Sequence, residues 1–334
     1  MKIKLLIASG DTDYAEHLSN TLAKKYADTY KVSICSQAER LDNLLAANKY
    51  DIALLEPGLA AQADLSSIQL PILLMDDSES IIEIISSFQK IPKYQRISSI
   101  AGTILENYAE SGKGINSFTA TKARITAVWS PSGGSGKTTV ALALAAHKVS
   151  GGKQAVYLSL ESFSSTPVYF PENGKSISKA FEKLEANIQV HLMGIRQQDS
   201  GSGIFYFCSP ENYDDMNILT ANDTEMLVNA CAAGIDELII DLPGQCDRRV
   251  QEVLHLADTV LIICDPSSTS QTKLKQFIDQ HNVFSQIQPK TILINNKGAK
   301  TVDVNINKAI ELPLVKSTDP IAVYKTLSGC NFDY

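Results

Sequence analysis

The chain lacks the features that mark membrane-spanning, secreted and strongly basic proteins. No apolar run approaches the ~20 residues that a transmembrane helix needs. The opening residues, MKIKLLIASGD, have no long apolar region of the kind found in signal peptides. Lysine and arginine number 30 against 37 aspartates and glutamates, which gives a net charge of −7. This balance disfavours a nucleic-acid binder, although a local basic patch can hide within such an average.

Cysteine and histidine are few and scattered. The six cysteines form no CxxC pair, and the five histidines are equally dispersed. Zinc sites and disulfide frameworks place such residues at short, regular spacings. We therefore expect reduced, buried thiols in a cytoplasmic protein, and no zinc site.

The composition is that of a folded chain with two domains. Of its 334 residues, 44% are hydrophobic and 20% are charged, which is enough apolar side chain for real cores. At ~100–200 residues per domain, the length predicts two domains. In the first, residues 1–109, the predicted strands are Lys4–Ala8, Lys31–Cys35, Asp51–Leu55 and Pro71–Met75, and the predicted helices are Asp13–Tyr26, Ala38–Ala47, Ser80–Phe88 and Ile97–Tyr108. Such alternation is typical of a parallel sheet with helical crossovers.

A linker and a second alternating series follow. Residues 110–123, ESGKGINSFTATKA, are small and polar without periodicity, which indicates an interdomain linker. In residues 124–334 the predicted strands are Ile125–Trp129, Ala155–Leu160, Gly203–Cys208, Glu237–Asp241, Thr259–Cys264 and Thr291–Ile294, and the predicted helices are Lys137–Ser150, Ser176–Glu185, Thr224–Ala233 and Gln271–His281. Unbroken apolar strands indicate a sheet covered on both faces. The fold class is therefore α/β, with two doubly wound domains.

Residues 130–139, SPSGGSGKTT, carry the strongest functional signal. They follow a predicted strand and open a predicted helix, which is the context that a phosphate-binding loop requires. Gly133, Gly134 and Gly136 allow a tight turn and leave space for an anion to approach the backbone. The loop amides, Ser135 among them, and the positive end of the helix can then face phosphates.

Three polar side chains complete this predicted site, and a carboxylate supports it. Lys137 can reach the β- and γ-phosphates, the Thr138 hydroxyl can bind Mg²⁺, and Thr139 can hydrogen-bond the α-phosphate. Asp241 ends the apolar run ELIID and lies at the carboxyl end of its predicted strand. There it can hold the hydration shell of Mg²⁺. The alternative is a turn-forming Asp-Leu-Pro-Gly segment without a metal role.

The loop resembles the deviant Walker A loop of MinD/ParA ATPases, whose pattern is xGKGGxGKTT. The order of the segments AVYLSLE, IIDLPG, CDPSSTS, TILINNK and IELPLV also fits that family over roughly residues 124–325. The resemblance implies a P-loop fold, ATP and Mg²⁺ as cofactors, and a homodimer. It makes Lys137, Glu161 and Asp241 the catalytic candidates and Thr138 and Asp241 the metal site.

Residues 1–109 resemble a response-regulator receiver domain, so the whole chain resembles the TadZ/CpaE proteins of Flp (tight-adherence) pilus systems. The receiver pattern is degenerate, because Ser9 and Gly10 occupy the positions of its acidic pair and Glu56 that of its acceptor Asp. Asp76 stands where a Ser or Thr is expected, and the sequence does not identify the receiver lysine. We expect an interaction module that is not switched by phosphorylation. Glu56 as a solvated strand-end carboxylate is the alternative.

The ATPase-like region also departs from its family. Pro131 replaces the first Gly of the general P-loop pattern, and Ser132 stands where MinD/ParA loops carry a signature lysine that reaches the partner subunit's nucleotide. A hydroxyl is shorter and uncharged, and a supplied cation is worth about 10³-fold or more in phosphoryl transfer. Glu161 replaces the family's water-orienting Asp and is one methylene longer. The sequence therefore predicts ATP binding with slow hydrolysis.

The resemblance also suggests how the base is held. An amide after TILI can pair with adenine, and Asn296 beside Lys297 fits this position best, with Asn295–Asn296 as the alternative. The loop containing Pro313 and Leu314 is expected to pack against the base. Asn after a strand is also common as a simple turn residue.

Three functions compete. The first is a nucleotide-gated assembly or localisation factor with pilus-assembly or other protein partners, cytoplasmic and recruited to a pole or membrane complex through them. The second is an active ParA/MinD-type partition or positioning ATPase that cycles on DNA or membrane. The third is a response-regulator signalling protein. The tail KTLSGCNFDY contains no basic amphipathic membrane helix and the chain gives no strong nucleic-acid signal, so we favour the first.

Overall fold

A computed structural model describes residues 2–27, 29–76, 88–110, 123–181, 188–299, 304, 306 and 308–332. The chain divides into two compact units, Met1–Thr119 and Ala120–Tyr334. The predicted linker lies almost wholly outside the described residues. Among those residues, no helix combines the length and the apolar character needed to cross a membrane.

The first unit is a five-stranded parallel sheet with helices between its strands. Its strands are β1 (Ile3–Ala8), β2 (Tyr30–Cys35), β3 (Ile52–Leu55), β4 (Leu70–Met75) and β5 (Gln89–Pro92), and its helices are α1 (Thr12–Lys25), α2 (Ala38–Ala47), α3 (Pro57–Ala60) and α4 (Ile97–Glu110). The strand order is β2-β1-β3-β4-β5. This is the flavodoxin-like order, in which ligands and reactive groups gather beyond the carboxyl ends of β1 and β3.

The second unit is built on an eight-stranded sheet. Its strands are β6 (Arg124–Trp129), β7 (Ala155–Ser159), β8 (Gln197–Gln198), β9 (Phe205–Tyr206), β10 (Glu237–Asp241), β11 (Thr259–Cys264), β12 (Thr291–Asn295) and β13 (Ala309–Glu311). Its helices are α5 (Lys137–Ser150), α6 (Thr166–Tyr169), α7 (Ser178–Phe181), α8 (Ile188–Ile195), α9 (Tyr213–Asn217), α10 (Ala221–Cys231), α11 (Arg248–Leu256), α12 (Ser268–Asp279), α13 (His281–Ile287) and α14 (Pro320–Leu327). The order is β13-β12-β11-β6-β10-β7-β9-β8, parallel except at the β8–β9 pair.

Alternating side chains of the central strands enter cores on the two faces of this sheet. Val128 packs with the apolar face of α5 and with α14, whereas its neighbour Trp129 packs in the core that includes α10 and α11. Trp129 is buried and its ring centroid lies 4.5 Å from that of Phe277. Both faces are therefore covered, which confirms the predicted α/β fold class with mostly parallel sheets.

Most predicted elements are present, with shifted ends. Helix α10 begins three residues before the predicted Thr224, because Thr220 and Asp223 form a capping box that fixes its start. The predicted strand Gly203–Cys208 is shortened to Phe205–Tyr206: Gly203 adopts φ +74° before the strand, and Cys208 forms only an isolated bridge with Ser176. Most of the predicted helix Ser80–Phe88 lies outside the described residues. The sequence did not predict strands β5 and β8 or helices α3, α6, α8, α9, α11, α13 and α14.

Candidate functional site

The phosphate-binding loop connects β6 to α5 at the carboxyl edge of the second sheet. It turns at Gly134 (φ +71°) and Gly136 (φ +99°), backbone conformations that favour glycine. In this described segment, none of the backbone N–H groups of residues 133–139 has a protein acceptor. These groups, together with the positive end of α5, form a ready site for an anion.

Lys137 and Thr138, the first two residues of α5, point toward carboxylates. The Lys137 ammonium is largely buried and lies 3.8 Å from Glu161 Oε1. The Thr138 hydroxyl donates to Asp241 Oδ2 at 2.6 Å. Four residues predicted for this site, from three segments of the chain, therefore lie together.

Asp241 is fully buried at the end of β10. Strand β10 lies between β6 and β7 and is parallel to both, with Asp241 opposite Val128 and Ser159. The Asp241 carboxylate therefore lies beside the loop that follows β6. Tyr157 on β7 donates to its Oδ2 at 2.9 Å. Burial, with repulsion from Glu161, raises the pKa of Asp241 to about 7. The Tyr157 contact was not apparent from sequence.

The residues present fit a hydrated Mg²⁺. Asp241 Oδ1 is buried and has no hydrogen-bond partner, so it can accept from a metal-bound water. The Thr138 hydroxyl beside it can contribute an oxygen ligand. Among the described residues no cluster of three or more His, Cys, Asp or Glu could bind a metal by itself. A cation here therefore needs water and phosphate oxygens as further ligands.

Glu161 follows β7 and faces the loop lysine. Burial raises the pKa of Glu161, and the charge of Lys137 opposes that rise. Among the described residues, no other carboxylate forms an ion pair with Lys137. The pair therefore places an acidic side chain beside the first residue of α5.

The predicted base-binding residues lie at the neighbouring strand end. Asn296 follows β12 and is buried, and its Nδ2 donates to the carbonyl oxygen of Ser135 at 2.9 Å. Lys297 Nζ donates to the carbonyl oxygen of Gly134 at 2.5 Å. Asn295 is buried within β12. The structure therefore places Asn296, the preferred residue of the two, directly against the loop.

Pro313 and Leu314 follow β13, the strand next to β12. The Leu312 carbonyl accepts from the Gly298 N–H at 2.9 Å, which holds this segment beside the Asn296–Lys297 turn. Leu314 is 59% exposed. An apolar surface is therefore available at the edge where the base is expected.

Two further loop residues have defined surroundings. Ser132 is buried, and its backbone N–H donates to Ser130 Oγ at 3.2 Å. Its side chain therefore cannot reach outward as a lysine could. Thr139 lies near Tyr169: burial raises the pKa of the Tyr169 hydroxyl, and Thr139 opposes that rise.

The first unit carries a separate charged cluster. Glu56, after β3, accepts from Ser9 Oγ at 2.5 Å, from the Gly10 N–H at 2.7 Å and from Lys93 Nζ at 2.6 Å. The interpretation of Glu56 as a solvated carboxylate is wrong, since its side chain is only 15% exposed. Lys93, which sequence reasoning did not identify, follows the short, polar strand β5. It occupies the place of the receiver lysine.

Burial disfavours the ionised form of Glu56, but the hydrogen bonds from Lys93, Ser9 and Gly10 outweigh it and lower its pKa. Lys93 also lies 3.5 Å from Asp11 Oδ2. Although burial opposes its charge, Glu56 holds the pKa of Lys93 above the ordinary range. Within the cluster, Glu56 and Lys93 therefore form a mutually neutralised carboxylate–ammonium pair.

Comparison with known proteins finds a family model that matches within the second unit, and solved structures that are similar to part of the chain. The family model of the ATPase MipZ matches residues 125–302. A ParA family ATPase from Chlorobium tepidum TLS is 20% identical, with 62% of this chain and 91% of that chain covered and a TM-score of 0.49. MinD from Pyrococcus horikoshii OT3, complexed with Mg-ADP, is 12% identical over 62% and 94% of the chains, with a TM-score of 0.45.

A third solved structure is a putative plasmid partition protein from Borrelia burgdorferi B31 bound to AMPPNP. It is 15% identical, with 64% of this chain and 92% of that chain covered and a TM-score of 0.48. Among curated proteins, no relative matches the chain.

Proposed function

Because this chain belongs to the family of the ATPase MipZ, we propose that its second unit binds ATP with Mg²⁺ and acts as a nucleotide-gated switch with slow hydrolysis. The observation that carries the proposal is the phosphate-binding loop that leads into the start of α5, because the amides of residues 133–139 have no protein acceptor in the described chain. Such a loop binds anions through N–H groups and the helix dipole.

Each nearby side chain has a role in this proposal. Lys137 supplies positive charge to the phosphates. Thr138 and Asp241 would hold Mg²⁺, which when bound neutralises charge on the phosphate oxygens. Thr139 would contact the α-phosphate, and Pro313 and Leu314 would pack against the base beside the Asn296–Lys297 turn.

Slow hydrolysis follows from Ser132 and Glu161. Ser132 has no charge to stabilise the transferring phosphoryl group, and its side chain is buried. Glu161 lies 3.8 Å from the Lys137 ammonium, so its carboxylate is directed at that cation rather than at a water alone. Both features weaken the electrostatic stabilisation on which phosphoryl transfer depends.

The biological role proposed is that of an assembly or localisation factor, as in TadZ/CpaE proteins of Flp pilus systems. This role is supported by the five-stranded unit with the order β2-β1-β3-β4-β5, which precedes the ATPase unit along the chain. The neutralised Glu56–Lys93 pair favours a protein-interaction module that phosphorylation does not switch. ATP would favour a homodimer, and protein partners would recruit the chain to a pole or membrane complex.

The test uses the purified full chain. Mg-ATP, Mg-ADP and no nucleotide are compared by analytical ultracentrifugation, and steady-state phosphate release is measured in parallel, with Lys137→Ala as the control. We expect nucleotide binding, a dimer with Mg-ATP only, and turnover well below about 1 s⁻¹. Absence of binding would refute the nucleotide site. A rate in the ordinary enzyme range would instead favour the active partition ATPase.

A further inference from the structure

The turn after β12 contacts the phosphate-binding loop at two successive carbonyls. Asn296 Nδ2 donates to the carbonyl oxygen of Ser135 at 2.9 Å. Lys297 Nζ donates to the carbonyl oxygen of Gly134 at 2.5 Å. One dipeptide therefore holds two adjacent peptide groups of the loop. The two segments are far apart along the chain, since Lys297 and Gly134 are separated by 163 positions.

The dipeptide is itself fixed. The Asn296 N–H donates to the carbonyl oxygen of Cys264 at 2.8 Å, and its Oδ1 accepts from the Lys297 N–H at 2.9 Å. Lys297 has φ +57° and is the one residue other than glycine with positive φ among those described. This conformation is unfavourable for a residue with a Cβ atom, so surrounding contacts must hold it.

Gly136 shows how closely the two segments approach. A Cβ atom at this position would lie 2.4 Å from Asn296 Nδ2. That separation is far below van der Waals contact, so only glycine fits beside the amide. Gly136 thus serves both the positive φ of the loop and its contact with Asn296.

The direction of these bonds determines where the loop amides point. All peptide bonds described are trans, and in a trans peptide the carbonyl of one residue points opposite to the N–H of the next. With the Gly134 and Ser135 carbonyls held toward Asn296 and Lys297, the N–H groups of Ser135 and Gly136 point to the opposite side. Those N–H groups have no protein acceptor in the described segment.

We infer that Asn296 and Lys297 form a loop latch, a pair of positioning residues that fixes the phosphate-binding loop with its amides turned inward before any anion arrives. The inference deepens the proposed nucleotide site and rests on it. It gives Asn296 a different task from reading adenine, because its Nδ2 and Oδ1 both already contact protein. Lys297 also places an ammonium on a loop that lacks the family's lysine at Ser132.

Binding of two ligands separates a latch from a base reader. Isothermal titration calorimetry of the full chain with Mg-ADP and with Mg-pyrophosphate compares wild type, Lys297→Met and Lys297→Asn, with Lys316→Met as the matched control at an exposed lysine. Asn tolerates the left-handed backbone, so Lys297→Asn removes the ammonium with the least strain.

We expect both Lys297 variants to bind Mg-ADP and Mg-pyrophosphate about tenfold more weakly than wild type, by a similar factor for each ligand. This is the loss expected when a hydrogen bond from a charged group is removed. Lys316→Met leaves both affinities unchanged. A loss confined to Mg-ADP, with a changed preference for ADP over GDP, would overturn the latch and identify a base reader. Equal affinities in wild type and Lys297→Asn would also overturn it.

A second readout needs no nucleotide. Selective ¹⁵N-glycine labelling reports the order parameters of Gly134 and Gly136, which we expect to fall from about 0.85 in wild type to below about 0.6 in Lys297→Asn. Unchanged values overturn the latch. If wild type binds neither Mg-ADP nor Mg-pyrophosphate, the proposed nucleotide site fails, whereas the glycine measurement still decides the latch.

Discussion

Glu56 and Lys93 form an ion pair at the carboxyl edge of the first sheet, with Nζ 2.6 Å from Oε1. Ser9 and Gly10 donate to the same carboxylate. Glu56 stands where a receiver domain would carry its acceptor Asp, and protein donors already satisfy its charge. The pair therefore couples β3 to the end of β5 without a phosphoryl group.

This pair predicts a pH-dependent stability. The folded-state pKa of Glu56 lies below the ordinary value of 4.5. The contribution of Glu56 to the free energy of unfolding is therefore complete well above pH 4.5 and is lost as the pH falls through the lowered pKa. Differential scanning calorimetry at pH 7 should show Glu56→Gln melting below wild type, with the gap closing toward pH 3. The control is Glu16→Gln, an exposed glutamate on α1. A gap that stays constant with pH contradicts the ion pair.

The same cluster predicts that small phosphodonors do not label the first unit. Glu56 is engaged by three donors, and a glutamate does not form the usual aspartyl phosphate of a receiver. Intact-mass spectrometry after incubation with acetyl phosphate and Mg²⁺ should show no added phosphoryl group. Stoichiometric labelling at Glu56 would refute the proposal that phosphorylation does not switch this unit.

Lys137→Ala should abolish nucleotide binding, because no other cation has been assigned to the β- and γ-phosphates. Trp129 ends the strand before the loop and is the sole tryptophan. Its emission should change with Mg-ATP in wild type and remain unchanged in the variant. Lys325→Ala, at an exposed position on α14, should behave as wild type. Unaltered affinity in Lys137→Ala would remove this lysine from the site.

Tyr157→Phe tests the support of Asp241. Loss of a buried hydroxyl that donates at 2.9 Å should cost about 1 kcal/mol of stability. It should also raise the Mg²⁺ concentration needed for ADP binding, by up to about tenfold. Tyr206→Phe removes a partly buried hydroxyl that donates to the carbonyl oxygen of Pro171, and it should lower stability without shifting the Mg²⁺ dependence. Equal Mg²⁺ curves for the two variants would show that Tyr157 has only a structural role.

Ser132→Lys should increase ATP turnover, since it restores a cation where the MinD/ParA pattern has one. We expect a rise of at least about tenfold in steady-state phosphate release, a fraction of what a supplied cation can give. Ser132→Met, of similar length without charge, should not raise the rate. A Ser132→Lys rate equal to that of Ser132→Met would place the cause of slow turnover elsewhere, with Glu161 the first candidate.

Local sequence was sufficient for the elements that depend on neighbouring residues. The apolar run of β10, the glycine-rich turn and the start of α5 at Lys137 were all predicted with their observed limits. The sequence did not predict short, polar elements such as β5, whose four residues include Lys90 and Pro92. Strand pairing to β4, rather than its own composition, makes that segment a strand.

The sequence by itself determined the alternation of strands and helices, and the phosphate-binding loop, because periodicity and glycine placement act over a few residues. Only the tertiary structure decided which side chains meet. Lys93 reaches Glu56 across 37 positions, Tyr157 reaches Asp241 across 84, and Lys297 reaches Gly134 across 163. Those contacts depend on the order of strands in each sheet, which places the carboxyl ends of distant parallel strands at one edge, and no local pattern in the chain encodes that order.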